Sequence, residues 1–201
     1  MNEVTAVQLI PPLNESAMVQ GLERLYLKKK ISKVPPDDKW NGADVYEFGD
    51  GGTGYVCLVK NDVIVYFVRY RKVRGGGNKF GRQVLVWKNK NVPATAGFAS
   101  HVFFEKLLPK FGALITDTQQ TEDGKAFWGY CLMKAFLDPA LFVYFYSRRE
   151  TPNRLVQLHN HADLDKFEAD LWGHSDVFIL THLVISQKGL KLRNDTNDNS
   201  K

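Results

Sequence analysis

Val84-Leu85-Val86-Trp87, then Ala94-Thr95-Ala96-Gly97-Phe98-Ala99, then apolar residues at helical spacing through residue 110: this stretch decides how the chain folds. Residues 84–87 are an apolar run of strand character. The small residues from Ala94 to Ala99 form a turn that opens a helix, with Phe98, Val102, Phe103, Leu107 and Leu108 on its inner side. A turn of this kind presents backbone N–H groups, which bind anions such as a pyrophosphate. Working outward, residues 82–147 read strand, turn, helix, strand, polar loop, helix, strand. The second strand is residues 113–116, the polar loop 117–121, the second helix 122–137 and the third strand 141–146. Residues 164–172 read as a helix and 177–186 as a final strand.

Upstream, residues 5–10 read as a short strand stopped by Pro11-Pro12. Asn14-Glu15-Ser16 can cap a helix carrying Met18, Val19, Leu22, Leu25 and Tyr26 at spacings of three and four, ending in Lys28-Lys29-Lys30. Residues 35–38 are a loop. Residues 45–48, 55–60, 63–73 and 82–88 then form an antiparallel meander, with Asn61-Asp62 as a hairpin turn and residues 74–79 as a flexible loop. The fold class expected is α/β (α+β): a mixed, mostly antiparallel central sheet flanked by helices.

The 201 residues, 44% hydrophobic and 24% charged, suit one soluble domain with a full core, here residues 1–190, followed by a disordered polar tail, 191–201. No apolar run approaches the roughly 20 residues of a membrane helix, and the first residues lack signal-peptide character. Two cysteines, Cys57 and Cys131, make neither a disulfide framework nor a zinc pattern, so a reduced cytoplasmic setting is expected.

The net charge of +5 is uneven. Lys60, Arg69, Arg71, Lys72, Arg74, Lys79, Arg82, Lys88 and Lys90 face the single acid Asp62 in residues 60–90. Such clustering attracts an acidic protein surface or nucleic acid. A solvated hairpin edge produces the same pattern. Tyr66, Phe67 and Tyr70 interleave with the cations, which suits base stacking beside phosphate contacts. Strand alternation alone also gives a buried aromatic face and an exposed basic one.

The order of elements resembles the GNAT N-acetyltransferase superfamily, over roughly residues 5–150. In that fold a V-shaped opening between two neighbouring parallel strands receives acyl-CoA. The turn resembles the family's phosphate-binding pattern, Arg or Gln followed by x-x-Gly-x-Gly/Ala: Gly97 and Ala99 match, and Ala94 stands where Arg or Gln is usual. Asp123, Ala126 and Tyr130 keep the spacing of the family's Asn, Ala and Tyr on the next helix, with Asp for Asn. The wording of residues 115–128 also looks like GNAT-like proteins of tailed bacteriophages, which would place the protein in the host cytoplasm.

The resemblance implies acetyl-CoA as cofactor, cradled by Thr95, Ala96, Gly97, Phe98 and Ala99, with the thioester polarised by backbone N–H groups near Val86 and Trp87. Tyr130 would protonate the leaving thiolate. A ring packed on the sheet competes with that role. Asp117 would orient the acceptor amine or act as base, with Thr118, Gln119 and Gln120 beside it beyond a strand end. Helix capping accounts for Thr121, Glu122 and Asp123. Arg69, Arg71 and Arg74 are candidate contacts to a macromolecular substrate or polyanion. His101 in the first helical turn could touch a phosphate, though solvent exposure explains it as well. His159-x-His161 with Asp163 lacks further ligands at metal spacing, in a segment read as strand end or loop, and no metal is assigned. Two functions follow: an acyl-CoA-dependent N-acyltransferase acting on a macromolecular amine, or a GNAT-like scaffold without catalysis that binds a host factor or nucleic acid.

Overall fold

The computed structural model describes residues 10–49, 52–116, 122–150, 153–172 and 180–191. Helix α1 spans Ile10–Ile31. The first strands are β1 (Asp38–Trp40), β2 (Ala43–Gly49), β3 (Thr53–Lys60), β4 (Val63–Gly75) and β5 (Asn78–Lys88). Three of their connections are two-residue turns with both residues at positive φ: Asn41-Gly42 (46° and 69°), Asn61-Asp62 (49° and 61°) and Gly76-Gly77 (54° and 74°). Positive φ at both central residues matches the right-handed twist of paired strands, which is why these turns close hairpins.

A 3-10 turn at Pro93–Thr95 leads into α2 (Phe98–His101), a π-helical turn (Val102–Leu107) and α3 (Leu108–Phe111), one continuous helical run. In the π turn the Leu108 N–H donates to Phe103 O. The next residue, Pro109, has no N–H and would crowd the carbonyl four residues back, so a wider turn accommodates it. Strand β6 (Ala113–Ile115), α4 (Glu122–Leu137), β7 (Phe142–Ser147), β8 (Arg154–Leu158), α5 (His161–Asp165), α6 (Glu168–Trp172) and β9 (Thr181–Ser186) complete the elements of the described residues.

The nine strands of the described residues form one mixed, mostly antiparallel sheet in the order β1-β2-β3-β4-β5-β6-β9-β7-β8. Strand β5 runs parallel to β6, in register at Gly81↔Leu114. The last strand lies between β6 and β7 and is antiparallel to both. Gly81 is required at the parallel pair, because a Cβ there would collide with the Phe111 ring and Leu114 Cδ2.

The chain divides into two compact units, and β3, β4 and β5 each run through both. In the first (residues 1–48, 55–68 and 86–96), Leu27, Val56, Cys57, Leu58, Phe67 and Val68 are fully buried. Phe67 stacks on Trp87 at 5.9 Å, and the Arg24 guanidinium lies 4.6 Å over the same indole. In the second (residues 49–54, 69–85 and 97–201), Phe98, Val102, Phe103, Leu107 and Leu108 are at most 1% exposed, and Phe103 meets Trp128 edge-on at 5.2 Å. Phe80, Ala113, Ile115, Tyr144, Tyr146 and Val184 form a second cluster there. Ala113 and Ile115 share one sheet face by strand alternation, and Leu114 takes the other.

Several expectations are corrected. Residues 5–9 of the expected first strand lie outside the described residues, while Ile10 begins α1. That helix starts before the Asn14 cap, taking Pro11-Pro12 into its first turn, where a missing N–H costs nothing. Its buried face is also different. Leu22, Leu25 and Tyr26 are 60%, 69% and 48% exposed, whereas Leu27 is fully buried, with Glu23 and Ile31 half-buried one turn either side. Two apolar stripes compete on this helix, and spacing alone does not choose between them. Asp38, expected in a loop, opens β1, and the Asn41-Gly42 turn was the signal for it. Residues 74–79 are strand ends around a tight turn rather than a flexible loop. Residues 155–164, read as strand end or loop, hold β8 as far as Leu158 but enter α5 at His161, and residues 164–172 divide between α5 and α6. The final strand is described from Thr181, and the tail from residue 192 lies outside the described residues.

Candidate functional site

The Ala94–Ala99 turn has the local form its small residues suggest. Thr95 N–H donates to Val92 O and Ala96 N–H to Pro93 O, both at 3.0 Å. The Thr95 hydroxyl donates inward to Val92 O at 2.9 Å and is 8% exposed, so its side chain serves the turn. Ala94 is likewise buried. Ala96 and Gly97 are exposed. Gly97 sits at φ 71°, the left-handed region, and no side chain caps the helix that starts at Phe98. What this turn offers an anion is therefore backbone. Ala99 and His101 are half-buried, and the His101 ring lies 5.9 Å from Phe98.

Val86 is 44% exposed, and Trp87 is half-buried between Phe67 and Arg24. Tyr130 is 43% exposed on α4, with Lys134 Nζ 5.7 Å from its ring centroid. Its ring is not packed on the sheet; Trp128, Cys131, Leu132 and Ala135 fill the buried face of that helix. Asp117, Thr118, Gln119 and Gln120 lie outside the described residues.

Arg71, Lys72, Arg74 and Lys79 are exposed at the β4–β5 hairpin, and Arg69 is half-buried. Tyr66, Phe67 and Tyr70 are at most 1% exposed, so no base can stack on them. Strand β4 is buried on both faces from Ile64 to Val68, and strand alternation alone did not reveal that. Cys57 and Cys131 are buried, and burial pushes both thiols far up, which leaves them inert. His159-x-His161 belongs to a helix cap: Asn160 accepts the Asp163 N–H, and the Asp163 carboxylate accepts the His159 N–H and a Lys166 Nζ proton. The lysine and that backbone bond hold the Asp163 carboxyl below its usual range. Among the described residues no three His, Cys, Asp or Glu side chains group as metal ligands.

A recess in the second unit, unsignalled by local sequence pattern, is lined by Val73, Arg74, Gly75, Phe80, Arg82, Ile115, Tyr146, Arg148 and His182. Its members lie on β4, β5, β6 and β9 and at the end of β7, up to about a hundred residues apart, where local periodicity is silent. His182 is fully buried, pairs across strands with Tyr146 and stacks on its ring at 6.4 Å. Thr116 Oγ1 accepts the Leu183 N–H at 3.1 Å and faces His182 Nδ1 at 3.5 Å. His182 Nε2 is buried without a hydrogen-bond partner among the described residues. Burial first, then the charges of Arg82 and Arg148, lower the His182 pKa to about 3, so the ring is neutral at physiological pH.

No protein-family model and no curated protein matches this chain.

Proposed function

We propose that the protein is a GNAT-like N-acyltransferase that uses acyl-CoA to modify an amine on a macromolecule. The observation that carries this reading is the order of strands: β5 and β6 are parallel neighbours, joined through the Gly97 turn and a helix, with the last strand inserted between β6 and β7. That order supplies the pair of parallel strands around which the family's acyl-CoA opening is built. The turn adds support, because its exposed positions present backbone to an anion, as a pyrophosphate needs.

In this reading the thioester supplies the acyl group and the protein supplies position and proton transfer. Asp117 takes a proton from the acceptor amine, directly or through water, so that its lone pair attacks the carbonyl carbon. The carbon–sulfur bond breaks, and Tyr130 gives its phenolic proton to the departing sulfur. Neither cysteine carries the acyl group, since both thiols are buried and kept protonated. Thiol release from acetyl-CoA in the presence of peptide and polyamine acceptors tests the chemistry. Replacing Tyr130 with Phe should cut the rate by about 10²–10⁴-fold, the usual worth of a general acid. An unchanged rate would remove Tyr130 from that role.

A second reading, a scaffold that binds without catalysis, is favoured by one feature. Ala94 brings no guanidinium or amide to the turn and is itself buried. The exposed cations Arg71, Lys72, Arg74 and Lys79 would then be the working surface, facing an acidic protein or nucleic acid. Gel shifts at increasing salt with wild type and a charge-reversed Arg69/Arg71/Arg74 variant test it. Binding that survives the reversal counts against this surface.

A further inference from the structure

We infer that the recess around His182 is a binding site for a phosphate group, separate from the acyl-transfer reading and independent of it. Three guanidinium side chains line it: Arg74 from the end of β4, Arg82 from β5 and Arg148 just after β7. Among the described residues that line it there is no carboxylate. Arg82 is only 7% exposed, so its charge is held in a poorly solvated place where an anion is attracted strongly. The charges of Arg82 and Arg148 both reach the His182 ring.

His182 gives the second, separate pointer. Its Nε2 is buried and meets no hydrogen-bond partner among the described residues. A buried polar atom left unsatisfied is costly, so a ligand that satisfies it is favoured. The tautomer decides which kind. Thr116 Oγ1 accepts from Leu183 N–H and lies 3.5 Å from His182 Nδ1, to which it can give its own proton. In that tautomer the ring proton sits on Nε2, and that atom is a donor. Tyr146, stacked on the imidazole and packed over Gly75, holds the ring in this orientation; a Cβ on Gly75 would approach Tyr146 Oη to 2.8 Å. One buried N–H donor and three forked cations match an oxyanion with several acceptor atoms.

Size and charge narrow the class. The enclosed part of the recess is about 10 Å³, room for about one oxygen atom, and the rest opens to solvent. One oxygen of a small anionic group would enter while the remainder of the molecule stays at the mouth. Three positive charges around a neutral imidazole favour a dianion over a monoanion. A phosphate group, free or on the end of a larger molecule, satisfies both conditions.

The test is thermal unfolding of the full chain in inorganic phosphate, against sodium chloride of equal ionic strength and against acetate. The variants are Arg148→Ala and Arg74→Ala, both at exposed positions that leave the core untouched. Phosphate stabilises proteins generally by exclusion from their surfaces, so the reading is the difference between wild type and variants. The site predicts an extra stabilisation in wild type that saturates with phosphate, is reduced in both variants and is partly restored in Arg148→Lys. An equal shift in all four proteins overturns the site. An equal shift with acetate overturns the assignment to phosphate. A saturable shift that a phosphomonoester reproduces, while methylphosphonate and acetate do not, identifies the esterified group as the occupant; one seen with inorganic phosphate alone identifies the free ion.

Discussion

At the scale of single residues, His182 sets a pH dependence. Its folded-state pKa is about 3 against 6.5 for an ordinary imidazole, because burial and the Arg82 and Arg148 charges oppose protonation. The unfolded chain therefore binds the proton more tightly. The stability tied to the neutral ring is complete above about pH 6.5 and is lost as the pH falls towards 3, by up to about 1.4 kcal/mol per pH unit. Urea unfolding between pH 4 and 7 measures the slope. The slope should flatten in His182→Gln, and an unchanged slope would assign it to other groups. Gly81 gives a steric prediction. Gly81→Ala must displace Phe111 or Leu114 at the parallel strand pair and should cost about 1–3 kcal/mol. Gly129→Ala on the exposed side of α4 meets nothing within 4 Å and should stabilise by about 0.5–1 kcal/mol. Denaturant midpoints of the two variants should move in opposite directions.

At the scale of elements, α1 separates pattern from placement. Leu27→Ala should cost about 2–5 kcal/mol as a core truncation, while Leu25→Ala on the exposed stripe should stay within about 0.5 kcal/mol. Equal costs would put the exposed stripe into the core. This helix also shows why only part of the fold was readable. Helix α4 was readable at both ends, and all five inner residues of the helical run after Gly97 are buried, because each of those segments carries a single apolar stripe. The Asn61-Asp62 turn was equally plain, since few sequences accept two successive positive φ angles. On α1 two stripes compete, and only the tertiary fold selects Leu27. The candidate turn at Gly97 was legible because it is local. The recess was not, because Arg82, Thr116, Arg148 and His182 meet only when β5, β6, β7 and β9 are laid side by side.

At the scale of the molecule, the strand order and the basic surface lead to different partners. Among the described residues no helix is long and apolar enough to cross a membrane. The acyl-transfer reading needs acyl-CoA to engage the turn at Gly97, and the scaffold reading does not. Thermal unfolding with acetyl-CoA separates them most directly. At 100 times its dissociation constant a ligand adds about 2.7 kcal/mol, which for a chain of this length raises the midpoint by about 5–10 °C. The account predicts a saturable rise of that order with acetyl-CoA. The rise should be kept in Arg148→Ala and lost in Gly97→Val, whose branched side chain does not accept the positive φ of the turn. No shift at millimolar acetyl-CoA, or a shift that survives Gly97→Val unchanged, would contradict it.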